Sequence, residues 1–508
     1  MASAESVISE LAEYFEGLPL WGHELVQANV IPPATIPSIM GYLYSTLFNP
    51  NLIWDEYSYR VSEAEVELCA ICAQLIGYDP KKSTGITTWG GTGTNFYGIR
   101  LGIEKALPEA FAQGVRQEVK LFCSSASHYS KLNALGWMGV GTNNLVNIPT
   151  DEDNSIRIDL LENKLRQTLD VGERIACILP TLGTTDSFGL DHLERIYHLR
   201  EKLVREYDLK YVPHIHADAV IGWAWAVFND YDFSENPMNF PRRTLRSLRD
   251  VWIIIQNLHL ADSIGIDFHK TGYAPYLSSL FMVKNKDDFK LIARTPDAMP
   301  YLFQFGNYRP GIYTMESSRG SGAALSALAN LKFFGKQGYR ALLGYIVTIA
   351  ESLRLRLEQS PYGVVVNDYN HGPVTLFRVY PDTSIMPNGR PAKLETVEGT
   401  EEDAIQRVTP TQLWYNESHS KDYAEMLVRH NAFNRRVFDI MHNTMANGGC
   451  LALSLTENYR YSVGGTPILA LKSFVMTPFV SEDAMTQLMH CLEKARKQAM
   501  AELSSISS

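Results

Sequence analysis

The sequence predicts an α/β fold with a mainly parallel sheet, and three observations carry the prediction. From about residue 60 to 330, short apolar runs (VKLFCSS, IACILPTL, YVPHIHADA) alternate with amphipathic segments such as DHLERIYHLREKLVREY. That is the rhythm of strands joined by helical crossovers. The chain has 508 residues, too many for one ordinary core. After about residue 360 the pattern changes to strands (YGVVVND, PVTLFRVY, CLALSLTE, ILALKSFVMT) closed by one helix, EDAMTQLMHCLEKARKQAMAEL. This last part reads as a smaller α+β domain.

The elements follow in order. Residues 1–60 mix short helical patterns with a Pro-rich turn, VIPPATIPS. They hold no core of their own and are expected to pack on another domain or subunit. Residues 61–330 form the large domain, and residues 331–508 the small one. Between them, Gly322 to about Ser360 is strongly helical and bridges the two. The stretch Gly389–Val408 is polar and acidic, and is expected to be a surface insertion.

Lys and Arg total 46 against 56 Asp and Glu, a formal net charge of −10. An acidic chain argues against general nucleic-acid binding and against a polybasic membrane anchor. No apolar run reaches the length of a membrane span. The amphipathic, acidic start lacks the basic and apolar regions of a secretory signal. Six scattered cysteines suit a reducing compartment, so a cytoplasmic location is expected. Cys69 and Cys72 form a C-x-x-C inside an amphipathic helical pattern without a second pair, which reads as buried helical thiols.

Three segments carry chemistry. In TTWGGTGTNFYGIRLGIEKAL, glycines precede a helix, so backbone N–H groups and the helix dipole offer an anion cradle. A structural Gly-rich turn is the plain alternative; the lysine of a Walker loop and the third glycine of a dinucleotide loop are both missing. In YVPHIHADAVIGW, His214, His216 and Asp218 lie on one side of a strand. H-x-H-x-D suggests a zinc hydrolase, but Ala219 follows the Asp where a further His is usual, and no metal is assigned. The other reading is an acid at a strand end facing a cationic ring nitrogen. In LADSIGIDFHKTGYAPYLSSLFMVK, Lys270 stands between two apolar strands. Desolvation there would make it a Schiff-base nucleophile; a solvated turn lysine is the alternative.

An anion cradle, a strand-end Asp and a strand-end Lys, in that order, are what pyridoxal phosphate needs. The chain here resembles the group II pyridoxal-phosphate-dependent amino-acid decarboxylases, nearest the bacterial tyrosine decarboxylase branch. The resemblance runs from about Asn49 to Leu328, through TTWGGTGTN, SASHYSKLNALGW, LPTLGTTDSFGLD, HIHADA, DSIGIDFHKTGYAPY and ESSRGSGAALSAL. It implies a fold type I, aspartate aminotransferase-like large domain and a homodimer with shared active sites.

Residue by residue, the resemblance implies these roles. His128 stacks on the cofactor ring. Gly91 and Thr92 bind its phosphate, with Asn95 close by. Thr184 approaches the cofactor or the substrate carboxylate. Asp218 pairs with the ring nitrogen, and His216 lies nearby. Lys270 carries the cofactor, with His269 beside the phosphate. Ser318 reaches the phosphate from the neighbouring subunit. Tyr276 matches an active-site Tyr of the tyrosine decarboxylase branch. It is the first choice as proton donor to the α-carbon, with Tyr301 second.

Departures touch the substrate side: Val220 follows Ala219 where a second Ala is usual, Phe268 replaces Pro, Ser317 replaces Gly, and the interval from Asp218 to Lys270 is long. The excess falls in FNDYDFSENPMNFPRRTLRS, expected near the entrance. The expected reaction is decarboxylation of an L-amino acid, an aromatic one such as tyrosine or dopa being favoured. A carbon–carbon lyase, an oxygen-using aldehyde synthase and a cofactor-binding scaffold without catalysis are the alternatives.

Overall fold

The computed structural model describes residues 2–300, 306–369, 372–394, 407–445 and 452–506. Seven strands form the main sheet: β1 (Thr84–Thr88), β2 (Val119–Ser124), β3 (Leu145–Ile148), β4 (Arg174–Leu179), β5 (His214–Asp218), β6 (Ser263–Asp267) and β7 (Ser279–Val283). Their spatial order is β1-β7-β6-β5-β4-β2-β3. The pairs from β3 through to β6 are parallel, and β7 runs antiparallel to both neighbours. The expected α/β large domain is therefore present. Six of the seven strands bury most of their residues, as a sheet covered on both faces must; the edge strand β3 buries only Ile148.

One helix decides where the site falls. Gly91–Ala106 begins three residues after β1 and lies across β4, β5, β6 and β7. It approaches the sheet closely because side chains are missing where it crosses. A Cβ on Gly98 would come within 2.3 Å of the His216 ring, and one on Gly265 within 2.3 Å of Thr94 Oγ1. His216 and Asp218 of β5 thus face this helix. Ile215 and Ala217 point the other way, into the main apolar core.

The long helix Gly322–Glu358 runs from the large sheet to the C-terminal strands Gly363–Val365 and Val374–Val379, with a kink at Gly335, whose φ is 53°. The small domain carries β8 (Gly363–Val365), β9 (Val374–Val379), β13 (Ser454–Tyr461) and β14 (Pro467–Phe474) in an antiparallel sheet, closed by the helix Glu482–Ile506. Between them β10 (Thr383–Ile385), β11 (Pro391–Leu394) and β12 (Arg407–Val408) form a small sheet of their own. The described ends of the acidic stretch are thus paired strands, with Ala392, Leu394 and Val408 buried, and not simply a polar loop.

The N-terminal segment threads the body at Gln27, lies along the long helix with Ile36–Phe48, and leaves the body at Ala4–Glu13. Gln27 is buried and joins Ala452, Phe474 and Ser473 of the small domain. Ala4–Glu13 buries nothing, and Ile36–Phe48 buries only Ser38 and Gly41. Cys69 and Cys72 are buried in the helix Val61–Ile76, and burial pushes both thiols up. The excursion after Phe228 is anchored on the long helix. Phe240 packs at Gly344, and Arg243 pairs with Glu351 and Glu358. It was expected at the entrance; its aromatic residues instead join the core beside the long helix.

Candidate active site

The carboxyl ends of β5 and β6 meet the N-terminus of the helix Gly91–Ala106, the place where an open α/β sheet binds ligands. Asp218 ends β5 and is 2% exposed. Lys131 Nζ donates to its Oδ2 at 2.7 Å, and Asn95 Nδ2 donates to the same oxygen at 3.2 Å. Oδ1 is buried and has no hydrogen-bond partner. Burial alone would raise this acid. The Lys131 charge and hydrogen bond outweigh it, Lys270 and Asn95 add to them, and the carboxyl is held well below the usual range. Asp218 is therefore a fixed carboxylate with one oxygen open.

Lys270 stands just past the end of β6, after Phe268 and His269. Its Nζ lies 3.0 Å from Asp267 Oδ2, and its side chain is 17% exposed. Asp267 Oδ1 accepts from Ser279 Oγ at 2.6 Å, which orients the acid. His269 is buried behind Lys270, with Nε2 3.5 Å from the same carboxylate and its ring centroid 4.2 Å from that of Tyr276. Burial lowers the His269 pKa. Tyr276 is half exposed at the rim; desolvation and the Asp267 charge push its phenol up to about 12.

The helix N-terminus stands over this pair. Gly90 takes a φ of 99°, and a Cβ on Gly91 would come within 2.9 Å of Asp267 Oδ2 and 3.0 Å of Val220. The first amides of a helix have no partner within it, so those at Gly91 and Thr92 suit an anion. His128 completes the group. Burial lowers its pKa, against the pull of Asp218 and with the push of Lys270 and Lys131. Its Nδ1 accepts from the Ser130 amide at 3.2 Å.

The structure thus brings together Gly91, Thr92, Asn95, His128, Asp218, His269, Lys270 and Tyr276. Three residues fall differently from expectation. Asn95 serves Asp218, one turn below the phosphate cradle, because it lies on the helix side that faces β5. His216 packs under Gly98 and bonds Ser263 Oγ at 2.9 Å, with burial pushing its pKa down to about 3. Thr184 turns its hydroxyl to the Gly189 amide at 2.8 Å and to Ser187, closing its own loop. Ser318 is exposed and accepts from Asn51 Nδ2 at 3.1 Å. Tyr301 lies outside the described residues. His214, of the zinc-like motif, bonds Ser263 Oγ at 2.7 Å.

Sequence reading missed Lys131 and the pairing of Asp267 with Lys270. Lys131 stands three residues after His128, so a helical reading of SHYSK would have placed both on one face.

The residues present fit pyridoxal phosphate. An open carboxylate oxygen suits a protonated ring nitrogen, a strand-end amine suits an aldehyde, and a glycine-lined helix N-terminus suits a phosphate. The fold is the type I fold of pyridoxal-phosphate enzymes. Residues 9–235 match the pyridoxal-dependent decarboxylase conserved domain. The match stops before Lys270. An L-tyrosine decarboxylase of Enterococcus faecium is 26% identical over 393 residues, covering 65% of this chain and 63% of that protein. An L-2,4-diaminobutyrate decarboxylase of Acinetobacter baumannii is 27% identical over 254 residues, 47% of this chain and 44% of that one. Among solved structures, mouse CSAD superposes with a TM-score of 0.73 at 16% identity, covering 97% of this chain and 89% of that one. Oryza sativa TDC with pyridoxal phosphate and tryptamine gives 0.73 at 14%, covering 98% and 89%.

Proposed function

We propose that the protein decarboxylates an L-amino acid with pyridoxal phosphate as cofactor. One observation carries the reading: the open, ionised oxygen of Asp218 and the amine of Lys270 sit at adjacent strand ends beneath a helix N-terminus. The bound cofactor would supply an aldehyde to take the substrate amine and a cationic ring to accept the electron pair left by carbon dioxide. The protein's own work is then positional and electrostatic. Gly91 and Thr92 would hold the phosphate through backbone amides. Asp218 Oδ1 would keep the ring nitrogen protonated. Lys270 would hold the aldehyde, with Asp267 and His269 fixing its amine. His128 would cover the ring and orient the substrate carboxylate. Tyr276, with its phenol pushed up to about 12, stays protonated at neutral pH and can give a proton to the α-carbon.

An aromatic substrate such as tyrosine or dopa is favoured. The tyrosine decarboxylase likeness supports it, as does the rim, where Tyr129, Tyr276 and Leu277 are exposed. Diaminobutyrate and aspartate decarboxylases are also among the relatives, so the side chain is the point to test. A cytoplasmic homodimer is part of the proposal. Among the described residues, no helix is long and apolar enough to cross a membrane. The exposed apolar side chains of Ala4–Glu13 and Ile36–Phe48 (Ile8, Leu11, Ile36, Leu47 and Phe48) support burial on a partner. Incubation with each of the twenty amino acids and with dopa, followed by mass spectrometry, tests the reading. An aromatic amine is expected; an aldehyde would mark a synthase, and no product from any of them would refute decarboxylation.

A further inference from the structure

The pair between Lys131 and Asp218 is a feature that the cofactor chemistry does not require. Lys131 lies on the helix Ser130–Trp137, and its side chain is fully buried. Besides Asp218 it donates to Thr181 Oγ1 at 3.3 Å, and Thr181 Oγ1 lies 2.9 Å from Ser127 Oγ. So Asp218 already has a full cation on Oδ2 when its Oδ1 is open.

Two consequences follow from charge alone. Without cofactor, Asp218 is not an isolated buried charge, and the site does not depend on a ligand to neutralise it. With cofactor, one carboxylate serves two cations, and those two cations repel each other.

We propose that Lys131 is a permanent counter-ion to Asp218, which preorganises the empty site and weakens the hold of Asp218 on a ring nitrogen at Oδ1. Lys131 is a positioning residue: it acts on the ring through Asp218. The ring-nitrogen half rests on the proposed cofactor; the counter-ion half does not.

Opposite signs make the inference testable. A lysine that only shaped the pocket would, when removed, loosen cofactor binding. A competing cation, when removed, leaves Asp218 wholly to the ring nitrogen, so binding tightens. The full chain, stripped of cofactor, is compared as wild type, Lys131→Met, Lys131→Arg, Asp218→Asn and the Lys131→Met/Asp218→Asn double variant. Thermal midpoints are read without ligand, and pyridoxal phosphate is titrated by its visible absorbance.

Without ligand, Lys131→Met is expected to melt lowest. The double variant should melt above it, because the second change removes the stranded charge, and Lys131→Arg should stay near wild type. A double variant that melts at or below Lys131→Met overturns the counter-ion role. If Lys131→Met does not fold, the double variant is still expected to fold, and failure of both has the same contrary meaning. With ligand, Lys131→Met is expected to bind pyridoxal phosphate roughly tenfold more tightly than wild type, and an equal or weaker affinity overturns the competition. No binding by wild type would refute the cofactor reading and the ring-nitrogen half with it, while the ligand-free midpoints would still decide the counter-ion half.

Discussion

Two buried acids in this molecule are held by cations in different ways. Glu65, on the helix Val61–Ile76, is fully buried and has both oxygens filled. Oε1 accepts from Arg319 at 2.6 Å and from the Thr87 amide at 2.8 Å; Oε2 accepts from Arg319 at 2.9 Å and from the Tyr308 hydroxyl at 2.6 Å. Asp218 has Lys131 and Asn95 on one oxygen and nothing on the other. Glu417 of the small domain resembles Glu65: Arg378 and Tyr380 reach Oε2, and His430 reaches Oε1. Glu65 and Glu417, which tie elements together, are satisfied on both oxygens, because an open one costs free energy. An ionised acid left half open at a strand end is set for something that arrives later.

The sharpest break between the two kinds of site should come from Lys270→Ala. It is expected to bring turnover below detection in protein that calorimetry shows still folds, checked by product assay, and the cofactor-free midpoint should fall because buried Asp267 loses its cation. Next, Asp218→Asn is expected to keep pyridoxal phosphate but lose roughly a hundredfold or more in kcat, because a neutral partner cannot hold the ring cation. A rate within threefold of wild type would remove Asp218 from the chemistry. Arg319→Met should do the reverse. Stranding Glu65 costs about 3–5 kcal/mol of stability, and pyridoxal phosphate binding should survive in whatever protein folds.

The smallest effect concerns pH. His214 is held neutral by burial and the Lys105 and Arg200 charges, and His216 by burial and Lys131 against Asp218. Both folded values lie below the unfolded one of about 6.5. The stability these groups contribute is therefore complete above about 6.5 and is lost as pH falls toward 3. The midpoint of the cofactor-free protein should decline from pH 7 to pH 4, and less steeply in His216→Gln. Equal slopes would mean that His216 is not held neutral.

The sheet, the cradle and the strand-end pair were legible because each is local: an apolar run, then glycines or a charged residue at its end. What escaped depends on distance. Lys131 reads as an ordinary helix lysine until β5 brings Asp218 to it, 87 residues on. Asn95 belongs by sequence to the cradle, but the helical turn carries it to β5. Arg319 reads as part of the ESSRG motif until it meets Glu65, 254 residues away. The excursion after Phe228 was expected near the entrance, and its aromatics pack beside the long helix, a partner far along the chain.

Reduction of the cofactor-loaded protein with borohydride, followed by peptide mapping, tests the central claim most directly. A phosphopyridoxyl group is expected on Lys270, in the peptide that contains Asp267 and His269. Attachment at Lys131, at a surface lysine, or at no lysine would contradict the assignment of the strand-end pair as the catalytic centre.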